Sequence, residues 1–165
     1  MVVLIQGRPG SGKTTLVKRV LERLDIPYTG FFTEEIREKG VRKGFRIVTA
    51  SGKEAILAYI DSKSSKRVSK YGVEIENIER VAVPSLKGEG LVVIDEIGKM
   101  ELMSRKFKET LKEIFEKKRK VLGTIPICRI RFIDDLISKY RPVVIRLDRK
   151  DSEEVLERVL TLLKK

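Results

Sequence analysis

The chain of 165 residues contains no histidine, no tryptophan, one cysteine and only two side-chain amides, Gln6 and Asn77. Without histidine, imidazole general bases, nucleophile relays and histidine metal sites are excluded. The lone Cys128 cannot close an internal disulfide, and no Cys/His group of the zinc type exists. No apolar run approaches the roughly 18 residues that span a bilayer, and the opening apolar stretch is too short for a signal peptide. The expectation is a cytoplasmic protein with no membrane partner. Its chemistry must come from carboxylates, lysine, arginine, hydroxyls and a metal.

What the sequence has in quantity is charge. Lys and Arg number 36 against 24 Asp and Glu, a formal net charge of +12, and charged residues make up 36% of the chain. A balance of this sign suits an anionic ligand, and nucleotide, nucleic acid and acidic membrane are all compatible with it. Many charges and few amides are also the composition of hyperthermophilic proteins. The length suits one domain with a real core rather than two, so residues 1–165 are read as a single α/β domain.

Residues 7–14 read GRPGSGKT and fit the phosphate-loop pattern G-x-x-x-x-G-K-[ST] at every fixed position. The mechanism needs a strand before that loop and a helix after it. Val2-Val3-Leu4-Ile5 has the β-branched, apolar character of a buried parallel strand. Leu16, Val17, Val20, Leu21 and Leu24 recur at helical spacing, which predicts a helix opening at about Gly12 or Lys13. Gly7, Gly10 and Gly12, with Arg8, Pro9 and Ser11 between them, let successive N–H groups turn inward around an anion at the helix N-terminus. Lys13 then reaches the β- and γ-phosphates, and the Thr14 hydroxyl ligates Mg²⁺.

A second motif, Leu91-Val92-Val93-Ile94-Asp95-Glu96, sets two carboxylates where a buried parallel strand emerges at its C-terminal edge, the edge at which open α/β sheets bind ligands. Asp95 fits the acid that holds Mg²⁺ through its water shell, and Glu96 fits a base or orienter for an attacking water.

Elsewhere, residues 28–33 read as a second strand, and the stretch 34–44 then carries alternating charges and two glycines. Residues 45–49 and 54–60 read as strands flanking the turn signal Ser51-Gly52-Lys53, a β-hairpin inserted early in an α/β chain. The segment 61–70, DSKSSKRVSK, has almost nothing to bury and reads as a mobile loop; lacking interleaved aromatics, it suits a solvated connection better than a nucleic-acid contact. Ile75, Ile78, Val81 and Ala82 can line one face of a helix before Pro84. Ser104 is placed to cap a helix with Phe107, Leu111, Ile114 and Phe115 as its buried stripe, and the basic run 117–120 sits at its carbonyl end. A strand over 121–125, a helix over 130–139, a strand over 143–147 and a helix over 151–163 complete an alternation that implies parallel strands with right-handed crossovers.

With these residues placed, the chain resembles the THEP1 family of nucleoside-triphosphatases, which includes the cancer-related nucleoside-triphosphatase. The resemblance rests on GRPGSGKTTL at 7–16, GFFTEEIREKGVRKGF at 30–45, VVIDEIGKMEL at 92–102 and the strand ending GTIP at 123–126. It implies a P-loop NTPase with a RecA-like, mostly parallel sheet flanked by helices, in which the 121–125 strand lies between the phosphate-loop strand and the Asp95-Glu96 strand. It also implies slow hydrolysis of ATP, GTP, CTP and UTP to diphosphate and phosphate, with weak base selectivity and Mg²⁺ as cofactor. The positions carried over are Gly7 to Thr14 and Leu91, Val92, Val93, Ile94, Asp95, Glu96, Ile97 and Gly98. The family pattern often has a histidine after the GTI strand; here that place is Pro126, and no histidine role carries over.

The motifs assign no arginine to the charge that develops on a transferring phosphoryl group. Arg129 and Arg131, just beyond the 121–125 strand, are the preferred candidates, with Arg8, Arg37, Arg42 and Arg46 as others. Two rival functions share the phosphate loop. A small-molecule or nucleotide kinase would need an acceptor pocket, for which the hairpin region is the place, whereas Glu96 directly after Asp95 favours orienting a water. A nucleotide-gated nucleic-acid-binding module has the net charge in its favour and the scatter of the basic residues against it, so no specific nucleic-acid partner is expected. The oligomeric state is left open.

Overall fold

Strands that read as unbroken apolar runs are buried on both faces, and the computed structural model, which describes residues 1–148 and 151–165, has three of them at its centre and a fourth, partly exposed parallel strand at the edge. They are β1 (Val2–Gln6), β7 (Leu91–Ile94), β8 (Val121–Ile125) and β9 (Val143–Arg146). With the start of β2 (Tyr28–Glu38) they form a parallel block in the order β2-β7-β8-β1-β9. The β8 strand thus lies between β1 and β7, as the family resemblance implies. Side chains alternate between two cores. Val3 and Ile5 of β1 and Leu91 and Val93 of β7 pack against α1 (Lys13–Leu24) and α6 (Ser152–Leu163). Leu4, Val92 and Ile94 face the opposite way, toward α4 (Arg105–Glu116) and α5 (Arg131–Tyr140).

The charged stretch 34–44 belongs to an antiparallel ladder. Only Tyr28 to Phe31 pair with β7; beyond that point β2 runs on to Glu38 and pairs antiparallel with β3 (Val41–Thr49), which pairs in turn with β4 (Glu54–Tyr59). Its side chains meet solvent at the sheet's outer end, so backbone pairing continues where the apolar pattern stops. The segment 61–70 is likewise tied down, contrary to the mobile loop expected from composition. Arg67 and Val68 form β5, paired with β6 (Tyr71–Val73), and the Arg67 guanidinium donates to the carbonyls of Ile60, Ser62, Ser64 and Lys70. The sheet order is therefore β5-β6-β4-β3-β2-β7-β8-β1-β9.

Residues 75–85 are helical, as α2 (Ile75–Asn77), a π-helical turn (Ile78–Ala82) and α3 (Val83–Ser85), with Ile78 and Ala82 buried. Ser104 caps α4 as expected, accepting the Phe107 N–H at 3.1 Å. The basic run after α4 is more than a solvated end: Arg119 donates to the carbonyls of Leu86, Gly88 and Gly90 and fastens the connection that leads into β7. No described helix is long and apolar enough to cross a membrane.

Gly30 carries the close pairing of β2 with β7. Its φ of 108° lies in the left-handed region, and a Cβ there would fall on the Val93 carbonyl. Gly30→Ala is expected to lower unfolding free energy by roughly 3 kcal/mol, from backbone strain and overpacking together. A urea midpoint equal to that of the unchanged protein would refute this account of the β2–β7 seam.

Candidate active site

The C-terminal ends of β1, β8 and β7 lie side by side, and each delivers part of one site. Beyond β1 the loop turns back, its Gly7 N–H donating to the Ile125 carbonyl of β8 at 3.3 Å. Gly12, with φ of 93°, is the N-cap of α1 and has no side chain to satisfy the first helical N–H groups. Those donors are left for an anion, which the helix dipole also favours. The Ser11 hydroxyl in the same loop is buried without a hydrogen-bond partner, a further orphan that a phosphate oxygen would satisfy.

Lys13 and Thr14 then meet the two carboxylates. Lys13 Nζ lies 2.9 Å from Glu96 Oε2 and donates to the Gly7 carbonyl at 2.6 Å. Thr14 Oγ1 donates to Asp95 Oδ2 at 2.6 Å, and Thr124 Oγ1 of β8 donates to Asp95 Oδ1 at 2.7 Å. The Asp95–Glu96 peptide is cis. Burial pushes the Asp95 carboxyl above its usual range, and the two threonine donors oppose that shift by stabilising the charged form. Among the described residues no three Asp, Glu, Cys or His side chains gather around a metal position. The two oxygens of Thr14 and Asp95 suit Mg²⁺ nonetheless, because that ion keeps several waters and takes its other ligands from phosphates.

A cavity of about 510 Å³ opens between this cradle and the antiparallel strands. Pro9, Gly10, Gly12, Lys13, Thr14 and Thr15 form one wall, Asp95, Glu96, Met100 and Pro126 the base, and Glu34, Glu35, Arg42, Phe45 and Tyr71 part of the facing wall. Of the run 91–98, Asp95 and Glu96 are the residues that border the cavity. Leu91, Val92, Val93, Ile94 and Ile97 are buried in the cores, and their contribution is to aim the two carboxylates. Gly98 instead accepts the Leu102 N–H at 3.0 Å. Arg8 is exposed and lines a smaller neighbouring hollow with Leu147 and Asp148. Arg129 is 88% exposed and pairs with Asp134 at 3.3 Å; neither it nor Arg131 borders the cavity.

Two residues of the site escape sequence reasoning. Thr124 lies inside an apolar strand, and only pairing of β8 with β7 brings it to Asp95. Glu101 looks like a surface carboxylate opening a helical turn, yet it is 4% exposed. A Cβ placed on Gly98 would meet Glu96 Oε1 at 2.8 Å and Glu101 Oε1 at 3.0 Å, so the two carboxyls face one small space. Burial first, and the Glu96 charge second, push the Glu101 carboxyl well above its usual range.

Comparison with known proteins agrees with this geometry. A family model described as NTPase matches residues 2–160. The chain is 44% identical over 168 residues to the nucleoside-triphosphatase THEP1 of Thermotoga sp. strain RQ2, covering 99% of this chain and 96% of that one. Its structure superposes on the crystal structure of THEP1 from the hyperthermophile Aquifex aeolicus with a TM-score of 0.89 at 37% identity, over all of both chains. The solution structure of a human cancer-related nucleoside triphosphatase gives 0.83 at 31% identity, over 98% of this chain and 96% of that one.

The Glu101 carboxyl has a consequence for stability. A raised carboxylate pKa means that the folded state holds its proton where the unfolded chain, near 4.5, has released it. The folded protein therefore binds more protons, and stability falls as pH rises from about that value through the folded pKa. In Glu101→Gln this component is absent. Urea unfolding from pH 4 to 8 is expected to show the unchanged protein losing stability relative to Glu101→Gln as pH rises, and parallel curves would contradict a neutral buried Glu101.

Proposed function

The chain belongs to the NTPase family, and we propose that it hydrolyses nucleoside triphosphates to diphosphate and phosphate in the cavity where Lys13, Thr14, Asp95 and Glu96 meet. The observation that carries this reading is the pairing across two strand ends, Lys13 to Glu96 at 2.9 Å and Thr14 to Asp95 at 2.6 Å. The loop N–H groups and the Ser11 hydroxyl bind phosphate oxygens. An arriving γ-phosphate competes with Glu96 for the Lys13 ammonium, and Glu96 is released to face a water. Thr14 and Asp95 are the residues that would hold Mg²⁺, which would supply positive charge against the phosphates. Glu96 takes the proton of the water as its oxygen bonds to the γ-phosphorus; the bond to the bridging oxygen breaks, and the diphosphate leaves with that electron pair.

Phosphate contacts dominate this arrangement. Among the described residues the cavity lining combines charged and apolar groups with hydroxyls, of Thr15, Thr33, Ser69 and Tyr71 among others, and includes no side-chain amide to offer the paired donor and acceptor that reads one base, the feature that produces strict rejection. With Mg²⁺, the efficiencies of phosphate release from ATP, GTP, CTP and UTP are expected to fall within about two orders of magnitude of one another. Strict preference for one base in a competition assay would show a base pocket that this reading lacks. The reach of the cavity to the antiparallel strands, where Glu34, Glu35 and Arg42 border it, supports a second reading. An acceptor molecule held against the antiparallel strands would make the protein a kinase, and phosphate release with no acceptor added separates the two. A cytoplasmic, thermophilic setting accords with the composition and with the Thermotoga and Aquifex relatives.

Glu96→Gln keeps the shape of the side chain but cannot accept a proton. Turnover is expected to fall by about 10² to 10⁴ while triphosphate affinity is kept. Normal single-turnover hydrolysis by Glu96→Gln would reduce Glu96 to a partner of Lys13.

A further inference from the structure

Breaking the bond to a γ-phosphate loads its oxygens with charge, and a cation placed there in the transition state accelerates the step. Among the described residues two cationic side chains border the cavity, Lys13 and Arg42, against four carboxylates, Glu34, Glu35, Asp95 and Glu96. Lys13 sits inside the cradle as a point charge. Arg42 comes from β3, on the facing wall, and its guanidinium is already held in place. Nε donates to Tyr71 Oη at 2.9 Å and Nη1 to Glu35 Oε1 at 3.3 Å, which leaves Nη2 outside these contacts. The guanidinium carbon lies 5.3 Å from the Phe45 ring centroid and 5.8 Å from that of Tyr71, and the two rings meet edge to face at 5.3 Å.

The anchor is graded. Tyr71 is buried and fixes one side of the fork, whereas Glu35 and Arg42 are each about two-fifths exposed, so their ion pair is weak and exchangeable. A phosphoryl group entering the cavity can take the place of Glu35 while the aromatic wall still aims the guanidinium.

We propose that Arg42 is a catalytic residue of the hydrolysis, an arginine supplied by the chain itself whose guanidinium donates to the γ-phosphoryl oxygens as they gain charge. The proposal rests on the hydrolytic reading above. Arg42 neither gains nor loses a proton: the proton of the water goes to Glu96, and the electron pair of the broken bond goes to the leaving diphosphate. Because the contact is to the γ group, Arg42 distinguishes triphosphate from diphosphate, whereas the loop and Lys13 hold both.

The test compares the unchanged protein with Arg42→Ala and Arg42→Lys, measuring single-turnover hydrolysis of ATP with Mg²⁺, separate affinities for ATP and ADP, and thermal melting. Arg42→Ala is expected to lose about 10³ to 10⁵ in rate, as for loss of an arginine finger, with ADP affinity unchanged. Free guanidinium at a non-denaturing concentration should restore part of that rate. Arg42→Lys keeps a cation and the alkyl stem, so it should fold if the alanine variant does not, and it should recover little, because a lysine lacks the planar fork. Wild-type turnover in Arg42→Ala would overturn the assignment while leaving the hydrolytic reading intact. Equal losses of ATP and ADP affinity with a lower melting temperature and no guanidinium rescue would make Arg42 a brace for the sheet and overturn it too. A collapse in Arg129→Ala with Arg42→Ala unaffected would move the cation to the segment after β8. No phosphate release from the unchanged protein would sink the hydrolytic reading itself.

Discussion

The site depends on one buried carboxylate. Asp95 is 2% exposed, and a carboxylate taken out of water is tolerated only when its oxygens are hydrogen-bonded. Both of them are: Thr14 binds one and Thr124 the other. Through these two bonds the first turn of α1, the end of β8 and the end of β7 are fixed against one another, and those are the three elements from which the cradle is made. The need to satisfy a buried charge thus sets the relative positions of the phosphate loop and Glu96. Binding and chemistry share a single support.

The central strands are legible because burial on both faces makes their residues uniformly apolar. At Leu91 to Ile94 the run ends in two acids, so the strand and the functional edge are marked by the same few residues. The antiparallel strands are not legible in this way. Glu34 to Glu38 carry charges into solvent while their backbone remains in a ladder, and composition cannot report that pairing. Arg67 and Arg119 read as solvated cations because the carbonyls they bind belong to turns set by the fold. Glu101 reads as a surface acid because its burial is created by packing after Gly98. In each case the missing information is tertiary. The strand order β7-β8-β1 came from the family resemblance, since no periodicity specifies which parallel strands are neighbours.

The charge distribution is a second lesson in scale. A net +12 invites a polyanion reading, and it is the excess of basic residues over acidic ones, since exposed pairs such as Arg19 with Glu153 and Arg23 with Glu157, which link α1 to α6, cancel internally. Such pairs shape the surface field and add little to stability. At the cavity the balance among the described residues is reversed, with four carboxylates and two cations on its border. Net charge therefore steers anions toward the protein at long range but does not explain their retention.

Retention has to be local, and the reversed balance says how. A triphosphate brings several negative charges into a space already bordered by Glu34, Glu35, Asp95 and Glu96. Repulsion from the buried Asp95 and the partly buried Glu96 is weakly screened, whereas Glu34 and Glu35 are about two-fifths exposed and count for less. In the proposed reading, backbone N–H groups and Lys13 would not by themselves offset both the ligand and the acids, and a divalent cation held by Thr14 and Asp95, together with Arg42 on the facing wall, would meet that requirement. In the proposed hydrolysis the parallel strands would cradle the part of the ligand that stays, and the antiparallel extension would face the group that leaves. On this view the added strands, the part of the fold least visible in sequence, complete the electrostatics of the site that the phosphate loop begins.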